Sequence, residues 1–241
     1  MARQNEKECL EELKNAFIGK TNVKIYANCE LETISQILFS ANPSANSNSF
    51  PDFVFSGGGI EHFQLTSSKE TRKGSEFKIE ESINKKSKDE YFEMLKEDYL
   101  NSEFVPRTIA TDNHEEVYES FSYDAFIHSL ERNVASHVES LEKSNYQNKI
   151  VVFLMEQQTA RLWIDEGIVP IRFYELHKDK KALLIIKQHC NFVNYIIYFV
   201  ADSVEVLDLS KIDDLLNKSL VYKNVKGGRL VKHQLNLLIN L

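Results

Sequence analysis

The feature that most constrains the fold is a run of three glycines between two segments with strand character. Phe-Val-Phe at residues 53–55 precedes the glycines at residues 57–59, and residues 60–66 resume the strand. Aromatic and branched side chains favour a pleated surface, and glycine supplies the positive φ angles that a tight reversal needs. The pattern predicts a β-hairpin, with Pro51 where a strand can start without losing a hydrogen-bond donor.

The pairing register of this hairpin decides which side chains share a face of the sheet. In one register Ser56 pairs with Gly59. Glu61 then lies opposite Val54, and Asp52 is its diagonal neighbour on the same face. Two carboxylates roughly 5–8 Å apart suit a hard divalent cation such as Mg²⁺, which prefers oxygen ligands and keeps several waters.

A second register makes the turn one residue tighter or wider. Asp52 then faces His62 and Gln64, so the group becomes an acid, an imidazole and an amide. Both registers stay open at this point, because a slip of one residue exchanges the two faces of a strand.

Pro51-Asp52, a short turn and an acid at Glu61 on the next strand resemble the motif of the PD-(D/E)XK, or restriction-endonuclease-like, nuclease superfamily. The resemblance covers about residues 28–156. It implies an α/β fold with a mixed central sheet flanked by helices and an α-β-β-β-α-β core, here with a C-terminal hairpin and helix as an extension. It also implies that Asp52 and Glu61 bind Mg²⁺ or Mn²⁺ and that the protein hydrolyses phosphodiester bonds in DNA or RNA.

The remaining catalytic candidates follow from a departure from that motif. In the superfamily a lysine stands two positions after the acid, and here that position is Phe63. The resemblance therefore implies that Gln64, or a lysine from the following loop, orients the attacking water. His62 is a further catalytic candidate from the second register, in which it faces Asp52. It also implies a third metal ligand, Glu30, from the helix before the hairpin. The alternative for Glu30 is that it only complements the dipole of that helix.

Residues 67–88 form the most basic segment, with seven lysine or arginine residues against four glutamates, a local charge of +3. In one interpretation this segment is a flap in which Lys69, Arg72 and Lys73 bind phosphates and Lys73 supplies the missing catalytic lysine. In the other it is a solvated loop.

Length and composition set the outer limits. With 241 residues and 42% hydrophobic content, the chain is long enough for one large domain or two small ones. Because no internal repeat, linker or low-complexity tract is evident, we expect one α/β domain over residues 1–241 with a basic insertion at about residues 67–88. The net charge of −7 argues against coating nucleic acid by bulk attraction, although a local basic surface still binds phosphates. Three scattered cysteines predict free thiols rather than a disulfide framework or a zinc site.

No apolar stretch reaches the roughly 18 residues of a membrane span, and the N-terminal residues lack the apolar core of a secretory signal. We therefore expect a cytoplasmic protein that does not associate with membranes. The C-terminal run at residues 230–241 is apolar enough to dock on the body of the protein or on a partner subunit, which predicts a possible homo-oligomer.

The strongest periodic signal lies at residues 123–141, where apolar residues recur every three or four positions over about five turns. It predicts a long helix that is buried along one side. The apolar run at residues 149–155 predicts a strand covered on both faces. Further predicted elements are helices at about residues 6–18, 30–41 and 210–218, a strand at 23–26 and a second hairpin at 193–209.

Two functions from different classes remain. The first is a metal-dependent nuclease, which the acids beside the glycine turn favour. The second is a protein of the same fold without catalysis, acting as a binding or assembly module, which Phe63 and the acidic net charge favour. The nuclease is our primary hypothesis.

Overall fold

The computed structural model describes residues 2–19, 23–26, 30–45, 50–67, 113–116, 122–157, 161–166, 169–200, 203–228 and 231–234. Within these ranges the helices are α1 (Ala2–Gly19), α2 (Leu31–Ser40), α3 (Tyr123–Glu142), α4 (Lys180–His189) and α5 (Ile212–Lys218). The strands are β1 (Val23–Tyr26), β2 (Asn42–Pro43), β3 (Phe53–Phe55), β4 (Gly58–Leu65), β5 (Asn113–Glu116), β6 (Ile150–Gln157), β7 (Arg161–Glu166), β8 (Val169–Phe173), β9 (Tyr195–Val200), β10 (Ser203–Asp208), β11 (Val225–Gly228) and β12 (Val231–Gln234).

A mixed seven-stranded sheet organises the described part of the chain, in the order β1-β10-β9-β6-β4-β3-β2. The central strands β4, β6 and β9 run parallel to one another, whereas β3 and β10 pair antiparallel with their neighbours β4 and β9. The predicted α/β class with a mixed sheet flanked by helices is therefore confirmed. The predicted buried strand is β6, which lies in the middle of the sheet, and the predicted second hairpin is β9 and β10.

Helices cover both faces of this sheet, so it has two apolar cores. On one face, α3, α4 and α5 pack against β6 through a cluster that includes Phe126, Leu130 and Phe153. On the other face, α1 and α2 pack against the same strand through Leu13, Leu38 and their neighbours. The burial of successive β6 side chains in alternate cores explains why its sequence is apolar without interruption.

The long predicted helix is confirmed as α3. It begins where Ser122 accepts a hydrogen bond from the main-chain N–H of Ala125 at 3.0 Å, which satisfies one of the free donors of the first turn. Its periodic apolar residues face the sheet, and Leu130, Val134 and Leu141 are fully buried. The helix thus forms one wall above the part of β4 that carries Glu61.

The predicted hairpin forms, but in neither of the expected registers. Phe55 pairs with Gly58 and Phe53 pairs with Ile60, so the turn consists of Ser56–Gly57. The expected pairing of Ser56 with Gly59 is wrong by two positions, which leaves every side chain on its expected face. The alternative slip of one position is wrong as well.

The three glycines have different roles, which corrects the expectation that all of them make the turn. Gly57 alone has a positive φ, at 93°. A Cβ atom at Gly58 would lie 2.0 Å from the carbonyl oxygen of Ile150, so this glycine allows β4 and β6 to approach. A Cβ atom at Gly59 would lie 2.5 Å from the Cγ atom of Pro51. Two of the glycines therefore serve strand packing rather than chain reversal.

Outside the main sheet, β7 pairs with β8 and β11, and β5 pairs with β12. The strand β12 contains the first described part of the predicted C-terminal run, and residues 235–241 lie outside the described residues. The predicted basic insertion also lies outside them, apart from Ser67. No helix in the described part of the chain is long and apolar enough to cross a membrane.

Candidate active site at the β3–β4 hairpin

Asp52 lies immediately before β3, where the ladder between β3 and β4 ends. Its Oδ2 atom accepts a hydrogen bond from the main-chain N–H of His62 at 2.8 Å. The carboxylate thus takes the place of a backbone acceptor at the edge of β4. One further step along the observed ladder brings Asp52 beside Glu61, so the strand pairing itself places the two acids together.

Glu61 is buried in β4, with 7% of its surface exposed. Its Oε1 atom lies 2.7 Å from Nδ1 of His137 in α3. Its Oε2 atom is also buried and has no hydrogen-bond partner among the described residues. A buried carboxylate oxygen without a partner is costly, and such an atom requires an explanation such as an ion or a water.

The electrostatics of Asp52 show that the two acids interact. Burial, followed by repulsion from the charge of Glu61, raises the pKa of Asp52 from 3.8 to about 6. The hydrogen bond from His62 acts in the opposite direction, and the charge of Glu6 in α1 raises the pKa further. The hairpin therefore concentrates negative charge that a cation would stabilise.

His137 is a member of this site that the sequence did not predict. Its imidazole is hydrogen-bonded to Glu61 and also stacks on the ring of Phe63, with 4.5 Å between ring centroids and 13° between planes. A usable signal was its position in α3, three residues after Val134 and one before Val138, which places it beside the apolar stripe that packs on β4. Helix α3 therefore holds the carboxylate of Glu61 from above the sheet.

His62 and Gln64 do not join Asp52 and Glu61, although all four were predicted as one site. Alternate residues of a strand point to opposite faces, and Glu61 points toward α3. The side chains of His62 and Gln64 instead contact Glu156 in β6, at 2.9 Å and 3.3 Å from its Oε2 atom. The predicted constellation thus separates into two groups on the two faces of β4.

Phe63 occupies the position at which the nuclease motif has lysine, two residues after Glu61 and on the same face. It is buried and packs edge-on against Phe153 while its face contacts His137. An aromatic ring therefore fills the place in which the superfamily has an ammonium group.

The other predicted site residues remain predictions. Glu30 is the N-cap of α2 and is exposed, and its side chain makes no capping hydrogen bond. Lys69, Arg72 and Lys73 lie outside the described residues, so their proposed contacts with phosphate and the catalytic role of Lys73 stay untested.

Comparisons with protein-family models, with curated proteins and with solved structures found no match to this chain. The geometry of the site is therefore the basis for any proposed function.

The raised pKa of Asp52 predicts how the stability of the metal-free protein depends on pH. Because the folded state holds this proton more tightly than the unfolded state, the contribution of Asp52 to stability falls as pH rises from about 4 to about 6. Asp52→Asn removes the buried charge and keeps an acceptor for His62. We expect the variant to be more stable than the wild type at pH 7, by on the order of 1–2 kcal/mol after solvent screening.

Urea unfolding in EDTA at pH 4 and pH 7 measures this difference. At pH 4 the two proteins are expected to be nearly equal in stability. Asp124→Asn is the matched control, since the side chain of Asp124 is 91% exposed. An Asp52→Asn effect of the same size at both pH values would contradict the assignment.

Proposed function

We propose that the protein is a divalent-metal-dependent nuclease whose ion is held by Asp52 and Glu61. The observation that carries the proposal is the buried Oε2 atom of Glu61, which has no partner among the described residues and lies beside Asp52, a second carboxylate whose pKa is raised by burial and by the charge of Glu61. Without a cation, the burial of two neighbouring carboxylates lowers the stability of the folded protein. With a cation between the two acids, the same arrangement is a binding site.

The donor set fits Mg²⁺ or Mn²⁺. Both are hard cations that take carboxylate oxygens, and Mg²⁺ is usually held by one or two carboxylates while it keeps several waters. A bound ion of this kind lowers the pKa of a coordinated water and stabilises negative charge on a phosphodiester. Two acids on neighbouring strands are therefore sufficient first ligands for such chemistry.

The protein side chains around the acids fix their orientation. The main-chain N–H of His62 holds Oδ2 of Asp52, and His137 holds Oε1 of Glu61. With Glu61 ionised, Nδ1 of His137 carries the proton of that hydrogen bond, because a carboxylate only accepts. Each acid therefore has one oxygen held by the protein, and the proposed ion would be held by the other oxygen of Glu61 together with Asp52.

The order of elements also supports a nuclease of the PD-(D/E)XK type. From α2 onward, the helices and strands of the main sheet follow as α2, β2, β3, β4, α3 and β6. Our proposal takes these six elements as the α-β-β-β-α-β core that the resemblance implies, with the acids at the hairpin of its second and third strands. The substrate class that we propose, DNA or RNA, rests on this likeness of architecture together with the acid pair.

A second candidate function is a protein of the same architecture that binds metal without cleaving nucleic acid. Phe63 favours it, since this residue fills the lysine position and packs against His137. The active alternative requires another group to orient the attacking water, and Lys73 is our candidate for that role.

An assay of cleavage distinguishes the two candidates. Single- and double-stranded DNA and RNA are incubated with the wild type in Mg²⁺, in Mn²⁺ and in EDTA, alongside Asp52→Asn and the exposed-acid control Asp124→Asn. We expect cleavage that requires metal, that Asp52→Asn strongly reduces and that Asp124→Asn retains. Metal binding without cleavage of any substrate would instead support the non-catalytic protein.

A further inference from the structure

On the face of β4 opposite to Glu61, a second group of polar side chains lies beneath α1. Cys9 of α1, His62 of β4 and Glu156 of β6 each direct one ligand atom to a common point, and these three atoms all lie within 4.8 Å of one another. All three residues are buried, with 3%, 7% and 9% of their surfaces exposed. A thiol, an imidazole and a carboxylate in such proximity form the donor set of a transition-metal site.

We propose that Cys9, His62 and Glu156 form a second metal site, selective for Zn²⁺ over Mg²⁺. Sulfur and imidazole nitrogen are donors that zinc accepts and that Mg²⁺ does not favour. This site is independent of the proposed nuclease, because it uses different side chains on the other face of the sheet.

The geometry requires only a small contraction. Bonds of about 2.3 Å to sulfur and about 2.0–2.2 Å to nitrogen and oxygen place the donors of a tetrahedral zinc site about 3–4 Å apart. His62 Nε2 and Glu156 Oε2 are already 2.9 Å apart. Coordination would require two proton movements. The Cys9 thiol loses its proton to solvent and becomes the anionic ligand, and the proton between His62 Nε2 and Glu156 Oε2 leaves to solvent or moves to Nδ1 of His62, so that Nε2 is free to bind the metal. The fourth position is left to water.

Neighbouring groups already orient two of the proposed ligands. The exposed residue Gln64 donates to Glu156 from its Nε2 atom at 3.3 Å, and Asp52 holds the main chain of His62. Such supporting contacts are characteristic of metal sites, where they fix the direction of the ligands.

A catalytic thiol is a poorer explanation for the same cluster. In a cysteine nucleophile the imidazole contacts the thiol with one nitrogen and an orienting group with the other. Here the thiol of Cys9 is hydrogen-bonded to Glu156, and Nε2 of His62 points to the same carboxylate. Burial also raises the pKa of Cys9 far above its usual range, which opposes formation of a free thiolate.

The spacing of the three cysteines predicts free thiols rather than a zinc site, because that prediction counts cysteine ligands alone. One cysteine is sufficient here, since the other two donors come from adjacent parallel strands. His62 pairs with Leu154 in the ladder between β4 and β6, two positions before Glu156. This proximity exists only after the sheet has formed.

Titration of metal-free protein with Co²⁺ as a spectroscopic substitute for zinc tests the proposal. We expect one Co²⁺ per chain with a sulfur-to-cobalt charge-transfer band, and displacement of the cobalt by Zn²⁺ but not by a large excess of Mg²⁺. Cys9→Ser should abolish the band and weaken Zn²⁺ binding by about 100-fold or more. Cys190→Ala and Cys29→Ala are matched thiol controls and should keep the band.

Two further variants keep the test decisive. Circular dichroism shows whether Cys9→Ser folds. If it folds poorly, Glu156→Gln provides the same test, because this variant preserves the size of the side chain and is expected to weaken Zn²⁺ binding. Glu61→Gln, on the other face of β4, should leave the charge-transfer band unchanged, which separates this site from the proposed nuclease site. Absence of the band in the wild type, or its loss with Cys190→Ala or Cys29→Ala instead of Cys9→Ser, would overturn the assignment.

Discussion

Replacing Asp52 with asparagine is expected to weaken Mn²⁺ binding about 100-fold and to lower metal-dependent cleavage by roughly 10²–10³-fold. The amide retains the hydrogen bond from His62 but no longer carries the negative charge that attracts a divalent cation. Glu61→Gln is expected to have an effect of similar size, because Glu61 supplies the oxygen that has no partner in the described part of the chain. Calorimetry gives the affinity of each variant, and initial rates of cleavage give the activity.

The control variants for this prediction remove chemically similar groups elsewhere. Asp124→Asn removes an exposed carboxylate, and Cys9→Ser changes the opposite face of the sheet. Both are expected to bind Mn²⁺ as tightly as the wild type. If Asp52→Asn and Glu61→Gln bound Mn²⁺ with unchanged affinity, the ion would not lie between the two acids.

The second large effect concerns His137. In the absence of metal, His137→Phe keeps an aromatic ring against Phe63 but removes the described partner of Oε1, so that neither oxygen of Glu61 then has a partner among the described residues. We expect it to lower the free energy of unfolding by about 2–3 kcal/mol, because a buried acid that loses its partner keeps the full desolvation penalty. Saturating Mn²⁺ should recover part of this loss, since the ion stabilises the same carboxylate.

A double-mutant cycle in urea measures this coupling. Glu61→Gln combined with His137→Phe should be less destabilised than the sum of the two single variants predicts. The reason is that the neutral amide at position 61 leaves no buried charge unpaired when the histidine is removed. His128→Phe makes the same substitution at an exposed position of α3 and should change stability by less than about 0.5 kcal/mol. Strict additivity of Glu61→Gln and His137→Phe would show that the two residues do not interact.

The sequence predicted the elements whose signals are local. The three-and-four spacing of residues 123–141 predicted α3, and the unbroken apolar run at 149–155 predicted β6. Strand propensity on both sides of the glycines predicted the hairpin of β3 and β4. Each of these patterns lies within about 20 consecutive residues, so the predictions are confirmed at the level of element type.

The sequence failed where contacts between distant segments decide the outcome. The register of the hairpin follows from Gly58, which must lie against Ile150 of β6, and Ile150 is 92 positions away. The partner of Glu61 is a histidine 76 positions later, and no local pattern links the two. The site could therefore be predicted as an acid pair, but neither its histidine nor its separation from His62 could be.

The face on which a side chain lies was more predictable than its neighbours. The observed register differs from the primary expectation by two positions, and an even shift preserves faces. Asp52 and Glu61 consequently remain together even though their expected cross-strand partners are wrong. Gln64 is separated from Glu61 for the same reason, because three positions along a strand reverse the face.

Crystals of the protein grown with Mn²⁺ would test the central claim most directly, through the anomalous scattering of manganese. The account predicts one anomalous peak within about 2–2.5 Å of a carboxylate oxygen of Asp52 and of Oε2 of Glu61. A fully occupied manganese site elsewhere in the protein, with Asp52 and Glu61 at a distance from it, would contradict the account.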